Sequence, residues 1–538
     1  MSWSDLQPSR RDVLRWGAVA LGTAAVAPSV AACGGTPASS RKVRPAFSAG
    51  PKQGTPVKGG TLTVAMIGAG AAESINVKSS FQNVDQARIL SLFDVMFNIG
   101  PRGTVTPGLI ETATPNADAS VWNFHVRSGV TWHDGKSLTA DDIVYTIKNS
   151  WGDKANVFNS VLSQLVDFAG VRKVGPFDVR VPLKRRVALL PTIVCFYSCA
   201  VIQEGTKSFV KPVGTGPFTF ESFTAGQTST FLANKHYWKS DAPNVDKLII
   251  NSSFSAESAR MNALLSGDVD VLPAADPTLV RTNAAGGRIV VGNQPGPAFE
   301  TIAMRVDKGP LRDARIRRAL KLIPDRQLYV DTVLSGYATV GNDLGGATDQ
   351  YFADTLKAEH DPEQARSLLK AAGADGLTIN LDTSATVPGQ NQMATLFASQ
   401  AKKAGVTVNV KTFDPSSFYT PAGGYQTRPF ATNYYTTGVN SLPAYYLLGL
   451  VTGGPYNDTH WGSPKEDALL YDALAELDKT KAAEKWMAVQ KAQFDDGGYL
   501  IPQNVNWLDA YAPNVRGIQT TEAMNCNNFD FGPAWIAA

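Results

Sequence analysis

Cysteine is scarce: four in 538 residues, which excludes a disulfide-stapled scaffold. Surplus charge is missing too. Lys and Arg number 50 against 47 Asp and Glu, a net charge of +3, so no strong field draws the chain to nucleic acid. The five histidines (125, 133, 236, 360 and 460) include no pair at metal-ligand spacing, so no metal site is expected. No Gly-x-Ser-x-Gly, His-Glu-x-x-His, Walker loop or dinucleotide fingerprint occurs, which leaves an enzyme or a cofactor without a motif. Beyond residue 32 there is no run of eighteen apolar residues, so nothing there is expected to span a bilayer.

What is present is a folding composition: 43% hydrophobic and 18% charged residues, over a length that predicts more than one domain. Gly (47) and Pro (32) imply many turns and argue against a long helical bundle. The first 32 residues read as an address. Ser9-Arg10-Arg11-Asp12-Val13-Leu14-Arg15 precedes the uncharged run Trp16 to Ala32, a secretory signal whose paired arginines point to the twin-arginine route. Ala31-Ala32-Cys33-Gly34-Gly35 resembles the bacterial lipobox, in which the cysteine is acylated and becomes the first mature residue. Residues 33–57, rich in Gly, Pro, Ser, Ala and Thr, are expected to form a flexible tether. The expected location is the outer face of the cytoplasmic membrane, facing periplasm or cell exterior, held by the lipid anchor.

The body reads as α/β. Thr61 to Met66 is an opening strand, residues 85–97 have helical spacing, and Val121 to Arg127 alternates as a strand. Thr139 with Asp142 forms a variant capping box. Asp361-Pro362-Glu363-Gln364 starts a helix that Gly373 ends, and residues 377–381, 391–404 and 406–410 continue as strand, helix and strand. Residues 464–493 read as helical, and Val505 to Tyr511 as strand.

Three signatures then occur in order. The first runs from Pro107-Gly108-Leu109-Ile110 through Trp122 to Lys136 and on to Leu138-Thr139-Ala140-Asp141-Asp142-Ile143. The second is Gly214-Thr215-Gly216-Pro217-Phe218, ending at Asn234-Lys235-His236-Tyr237-Trp238. The third is Leu311-Arg312-Asp313 with Ile316-Arg317-Arg318-Ala319-Leu320 and Asp325-Arg326. With Gly59-Gly60-Thr61-Leu62 before them, they resemble the extracellular solute-binding proteins of family 5, the peptide/nickel type that serves ABC transporters. The resemblance implies a type II periplasmic-binding-protein clamshell with an extra α/β subdomain in the first lobe. Lobe one is expected at 58–303 with the subdomain near 77–209, lobe two at 304–504, and a return to lobe one at 505–538. It implies a monomer that closes on a solute and hands it to membrane permease subunits, with no catalysis, metal or cofactor. A ligand-sensing lipoprotein without transport and a secreted hydrolase are the alternatives. His133-Asp134 and Asp268/Asp270 look like catalytic pairs, but a turn Asp before Gly and a strand after a helix account for them.

Candidate ligand contacts come from the aromatic excess of residues 425–461, eight aromatics among small polar residues: Tyr434, Tyr435, Asn440 and Trp461. Phe81 and Asn83 follow the first strand, where relatives place ligand-facing groups, and Asn506 and Trp507 lie at the second crossing. One departure matters. Peptide-binding relatives carry an aspartate for the peptide α-ammonium in this region, but here no carboxylate occurs between Ala431 and Asn457. Peptide, sugar, opine and metal chelate all stay open as ligand. So does a Cys195–Cys199 bridge.

Overall fold

The computed structural model describes residues 44–80, 82–419, 424–435 and 441–537. Cys33, Phe81 and Asn440 lie outside them, as do the signal segment and the first part of the tether.

Lobe one is built on an eight-stranded sheet. Its spatial order is Ser48–Ala49, Val290–Gln294, Trp507–Tyr511, Val271–Leu272, Thr61–Ile67, Lys247–Phe254, Thr228–Ala233 and Phe218–Phe223. The opening strand Thr61–Ile67 is central and pairs in parallel with Lys247–Phe254 and Val271–Leu272, so Leu62, Val64 and Ala65 are fully buried. Lobe two is built on a six-stranded sheet, in the order Ala338–Val340, Tyr499–Val505, Phe299–Met304, Phe430–Tyr435, Thr378–Ser384 and Thr407–Phe413. The helices Ala314–Leu322, Pro362–Ala371 and Gln390–Lys403 belong to one of its cores, and Leu442–Gly449, Pro464–Ala475 and Lys479–Asp496 to the other. A separate four-stranded sheet, Ile110–Pro115, Val121–Val126, Asp178–Pro182 and Arg172–Gly175, carries the helices Ala140–Thr146 and Asn159–Leu165.

Local chemistry explains the boundaries. Thr139 and Asp142 close a reciprocal capping box, with the Thr139 N–H donating to Asp142 at 2.9 Å. Asp361 accepts from the Gln364 N–H at 2.8 Å. The stretch read as helical over 464–493 holds two helices, Pro464–Ala475 and Lys479–Asp496. Asp478 accepts from the Thr480 and Lys481 N–H groups and starts the second, because a short polar side chain here competes for the backbone better than the helix does. The second signature's glycines are steric necessities. A Cβ on Gly214 would sit 1.8 Å from the Leu92 carbonyl oxygen, where this loop crosses the end of the helix Asn83–Leu92. His133 fastens the same loop: its Nδ1 accepts from the Gly214 N–H at 3.2 Å, and its Nε2 lies 3.0 Å from the Gly216 carbonyl. His133 is therefore a structural clamp.

The expected tether is partly docked. Ser48–Ala49 is an edge strand on Val290–Gln294, Asn293 Nδ2 donates to the Ala46 carbonyl at 3.0 Å, and Arg44 lies 3.5 Å from Asp331 of lobe two. Composition hid this because backbone groups make the pairing and side chains contribute little.

The chain passes between the two large sheets twice, at residues 295–298 and at Asn506. The six-stranded sheet thus begins at Phe299, upstream of residue 304. The crossings touch each other. The Val505 N–H donates to the Ala298 carbonyl at 2.8 Å, and Asn506 Nδ2 donates to Asn293 Oδ1 at 2.7 Å. A Cβ on Gly296 would lie 2.9 Å from the Val505 carbonyl oxygen and 3.0 Å from the Trp507 indole nitrogen.

Candidate functional site

The four-stranded subdomain and lobe two meet directly. The Ala188 N–H donates to the Leu474 carbonyl at 2.7 Å, and the Gln350 N–H donates to the Arg102 carbonyl at 2.9 Å. The Arg185 guanidinium lies 4.1 Å from the Tyr471 ring centroid. One continuous buried cluster runs from Trp122 and Ile143 in the subdomain to Tyr445 and Trp486 in lobe two. The lobes are therefore closed on each other, and a recess of only about 20 Å³, room for a water or two, is left between them.

Three bodies wall this recess. Lobe one supplies Gln86 from the helix Asn83–Leu92 and Asn528 from the chain's last turn. The subdomain supplies Thr192, Ile193, Cys195, Phe196 and Tyr197, and lobe two supplies Ser441 and Ala444 at the start of Leu442–Gly449. Phe196 and Tyr197 lie with ring centroids 4.4 Å apart, and the Tyr197 hydroxyl donates to the Ser80 carbonyl at 3.0 Å. Asn528 belongs to a left-handed run, Cys526, Asn527, Asn528 and Phe529, with φ of 45°, 54°, 62° and 57°. Such backbone costs roughly 1–2 kcal/mol per non-glycine residue, least for asparagine. It persists because it is held at both ends: the Cys526 N–H donates to Asp509 at 3.0 Å and the Asn527 N–H to the Gln519 carbonyl at 2.7 Å, while the Phe529 N–H donates to the Asn525 carbonyl at 3.0 Å.

The wall carries no ionised side chain. Burial pushes the Cys195 thiol up to about 12, so it stays protonated and donates to the Thr192 carbonyl at 3.0 Å. Burial likewise raises Tyr197. Charged neighbours are committed elsewhere. Arg88 is fully buried on Glu73 (2.8 Å), Asp85 (3.2 Å), Ser229 (2.6 Å) and Ser252 (2.8 Å). Asp349 accepts from the Leu442 and Tyr351 N–H groups, each at 2.9 Å; burial raises its carboxyl to about 6. Cys195, Cys199 and Cys526 are unbridged.

Of the sequence-chosen residues that the structure describes, none lines this recess. Asn83 is half-buried at the first position of the Gln86 helix. Tyr434 is half-buried against Tyr419, centroids 5.6 Å apart. Tyr435 turns inward: it stacks on Phe299 at 5.0 Å, and its hydroxyl donates to Asp458 at 2.9 Å. Trp461 is buried beside Tyr446 and Leu450. Asn506 and Trp507 sit at the crossing, with the Trp507 indole N–H on the Glu522 carbonyl at 3.2 Å. The aromatic excess is chiefly the core of lobe two. Its tyrosines need polar partners when buried, and Asp458, which burial raises to about 7, is one of them. Gln86 and Asn528 went unread. Carboxamides have no motif, although Asn525-Cys526-Asn527-Asn528 is an asparagine run suited to left-handed backbone.

Glu300, buried on the strand Phe299–Met304, receives one hydrogen bond from Gln503 at 2.8 Å. Burial lifts its carboxyl from the ordinary 4.5 to about 8. Between those values the folded protein keeps a proton that the unfolded chain releases. Stability conferred by this proton is full below pH 4.5 and is lost as pH rises to about 8. Glu300→Gln is expected to raise stability at pH 8 by about 1–3 kcal/mol and to flatten the decline from pH 5 to 8. Urea titrations at several pH values measure this; an unchanged slope would refute it.

Comparison with known proteins places this geometry. The model of "Bacterial extracellular solute-binding proteins, family 5 Middle" matches residues 104–458. The "Dipeptide-binding protein" of Escherichia coli (strain K12) is 26% identical over 463 residues, covering 79% of this chain and 85% of the relative. Among solved structures, a Helicobacter pylori periplasmic binding protein in complex with the peptide STSA superposes with a TM-score of 0.76 at 17% identity, over 90% of this chain and 99% of the other. NikA from Brucella suis in complex with Fe(III)-EDTA gives 0.76 at 21%, over 88% and 99%. The fold is thus the two-lobed type II clamshell that the signatures imply. The chain belongs to the bacterial extracellular solute-binding proteins, family 5.

Proposed function

We propose that this protein captures a small solute between its lobes by closing them about residues 295–298 and Asn506, then delivers it to the permease of an ABC importer. The observation that carries this reading is the pair of short, mutually hydrogen-bonded crossings that join two sheet-based lobes. Two crossings permit rotation of one lobe against the other, and a ligand that touches both favours the closed state. The E. coli dipeptide-binding relative supports a peptide-like solute, and the Fe(III)-EDTA complex of a structural neighbour supports tolerance of other chemistries on the fold. In this reading the chain leaves the cell by the twin-arginine route, is acylated on Cys33 and works as a monomer on the outer face of the membrane.

Native mass spectrometry of the protein purified from its own host is the test. A stoichiometric small-molecule adduct, unchanged in mass on release and transported by cells only when this gene is intact, is expected. Release of a chemically altered molecule, or uptake unaffected by deletion, contradicts the reading. For the anchor, a fatty-acid analogue should label the wild type and not Cys33→Ala.

A further inference from the structure

We propose that lobe two carries a second binding site, away from the crossings and the recess, that takes a small organic anion. The observation that carries it is a cavity of about 410 Å³ whose wall holds a buried cation without a counter-charge of its own. The helix Ala314–Leu322 presents Arg318, Lys321 and Leu322 to this cavity. The segment before Asp361 presents Lys357 and Ala358, and the end of Lys479–Asp496 presents Phe494. Every wall residue belongs to lobe two, so the site does not depend on how the lobes close.

Lys321 is 8% exposed, and its ammonium has three N–H groups to place. One donates to the Phe494 carbonyl at a long 3.3 Å, and the other two have no partner among the described residues. The carboxylates nearby are committed. Asp343 accepts from Arg326 at 2.8 and 3.0 Å and from the Ile501 N–H at 2.8 Å. Asp496 holds Arg317, and Asp495 accepts from Lys491 at 2.6 Å. Burial lowers the Lys321 ammonium to about 8, against the pull of Asp343 and with Arg317 and Arg326 adding to the fall. Arg318 and Lys357 are exposed at the rim and form no ion pair among the described residues. Glu359 is the one wall carboxylate left free there, so three unpaired cations face one unpaired anion. A ligand carboxylate on Lys321 fills its spare donors with charge-assisted bonds and supplies the missing counter-charge. Leu322, Ala358 and Phe494 give the cavity an apolar side, which a bare inorganic ion leaves unused and an organic body fills.

Calorimetric titration with benzoate and 2-naphthoate, each beside its neutral amide, tests this. The carboxylates are expected to bind with Kd below about 1 mM, and the amides at least about tenfold more weakly. At pH 8 binding should draw up to about half a proton onto Lys321, read as a heat that changes with the ionisation enthalpy of the buffer. Lys321→Met should abolish carboxylate binding without lowering Tm, because methionine keeps the apolar stem and removes a buried charge that lacks a partner. Arg318→Gln and Lys357→Gln, on the exposed rim, should each weaken binding about threefold and keep the test open if Lys321→Met does not fold. If Lys321 only capped the helix Lys479–Asp496, its removal would lower Tm and leave carboxylate affinity unchanged, which would overturn the inference. Equal affinity for acid and amide, or no carboxylate binding at all, would overturn it as well. Inorganic phosphate binding as tightly as either carboxylate would contradict the organic body.

Discussion

Arg88→Leu is expected to cost about 3–5 kcal/mol of folding stability, the range for breaking a buried ion pair by removing one partner. Arg88 has no exposed side-chain surface, and neither does Glu73. Its guanidinium ties the helix Asn83–Leu92 to Ser229 and Ser252, which lie on neighbouring strands of the lobe-one sheet. Burial alone would raise the Glu73 carboxyl, yet the Gly226 N–H, the Ser252 hydroxyl and Arg88 hold it below its ordinary value. Leucine at this position would leave Glu73 and Asp85 as buried carboxylates without their cation. Both would then take up protons more readily, so the variant should lose less stability at pH 5 than at pH 8. Urea unfolding at the two pH values reads both effects. A loss below about 1 kcal/mol would mean that water reaches the carboxylates and that the helix is not anchored this way.

The largest functional effect is expected from Gly296→Val. A valine side chain meets the Val505 carbonyl and the Trp507 indole, both on the returning chain. It must therefore push the crossings apart, and the closed state suffers most because it brings the two lobes together on that axis. Cargo affinity should fall about 100-fold, equivalent to about 2.7 kcal/mol of bias against closure. The fold itself should survive, since the clash falls on the last residue of one strand, Val505, and the first of the next, Trp507, and leaves the interior of both sheets untouched. Titration with the native cargo, alongside a thermal melt, separates the two. Unchanged affinity in a folded variant would show that these residues are not the axis.

Much of the scaffold was legible in the sequence because its signals are local. The strand Thr61–Ile67, the box at Thr139 and Asp142, and the helix capped by Asp361 are each decided within a few residues. The break at Asp478 was local too, but the run of helix formers on both sides masked it. The edge strand Ser48–Ala49 was invisible because its partner lies at Asn293 and Gly292, and only backbone atoms pair. The recess was the least legible. It unites residue 86 with residues 192–197, 441 and 528, and its polar residues are ordinary carboxamides, hydroxyls and one thiol. Tyr435 and Trp461, chosen from the aromatic excess, are buried: a ring-rich segment satisfies a core as readily as a cleft, and here Asp458 supplies the polar partner that let the tyrosines go inside.

Small-angle scattering of the protein, stripped of cargo by mild unfolding and refolding and then given its cargo back, tests the hinge most directly. The stripped protein should give a larger radius of gyration and a curve that the closed lobes do not reproduce, and stoichiometric cargo should return it to the closed curve. Identical curves before and after, both matching the closed form, would contradict capture by closure.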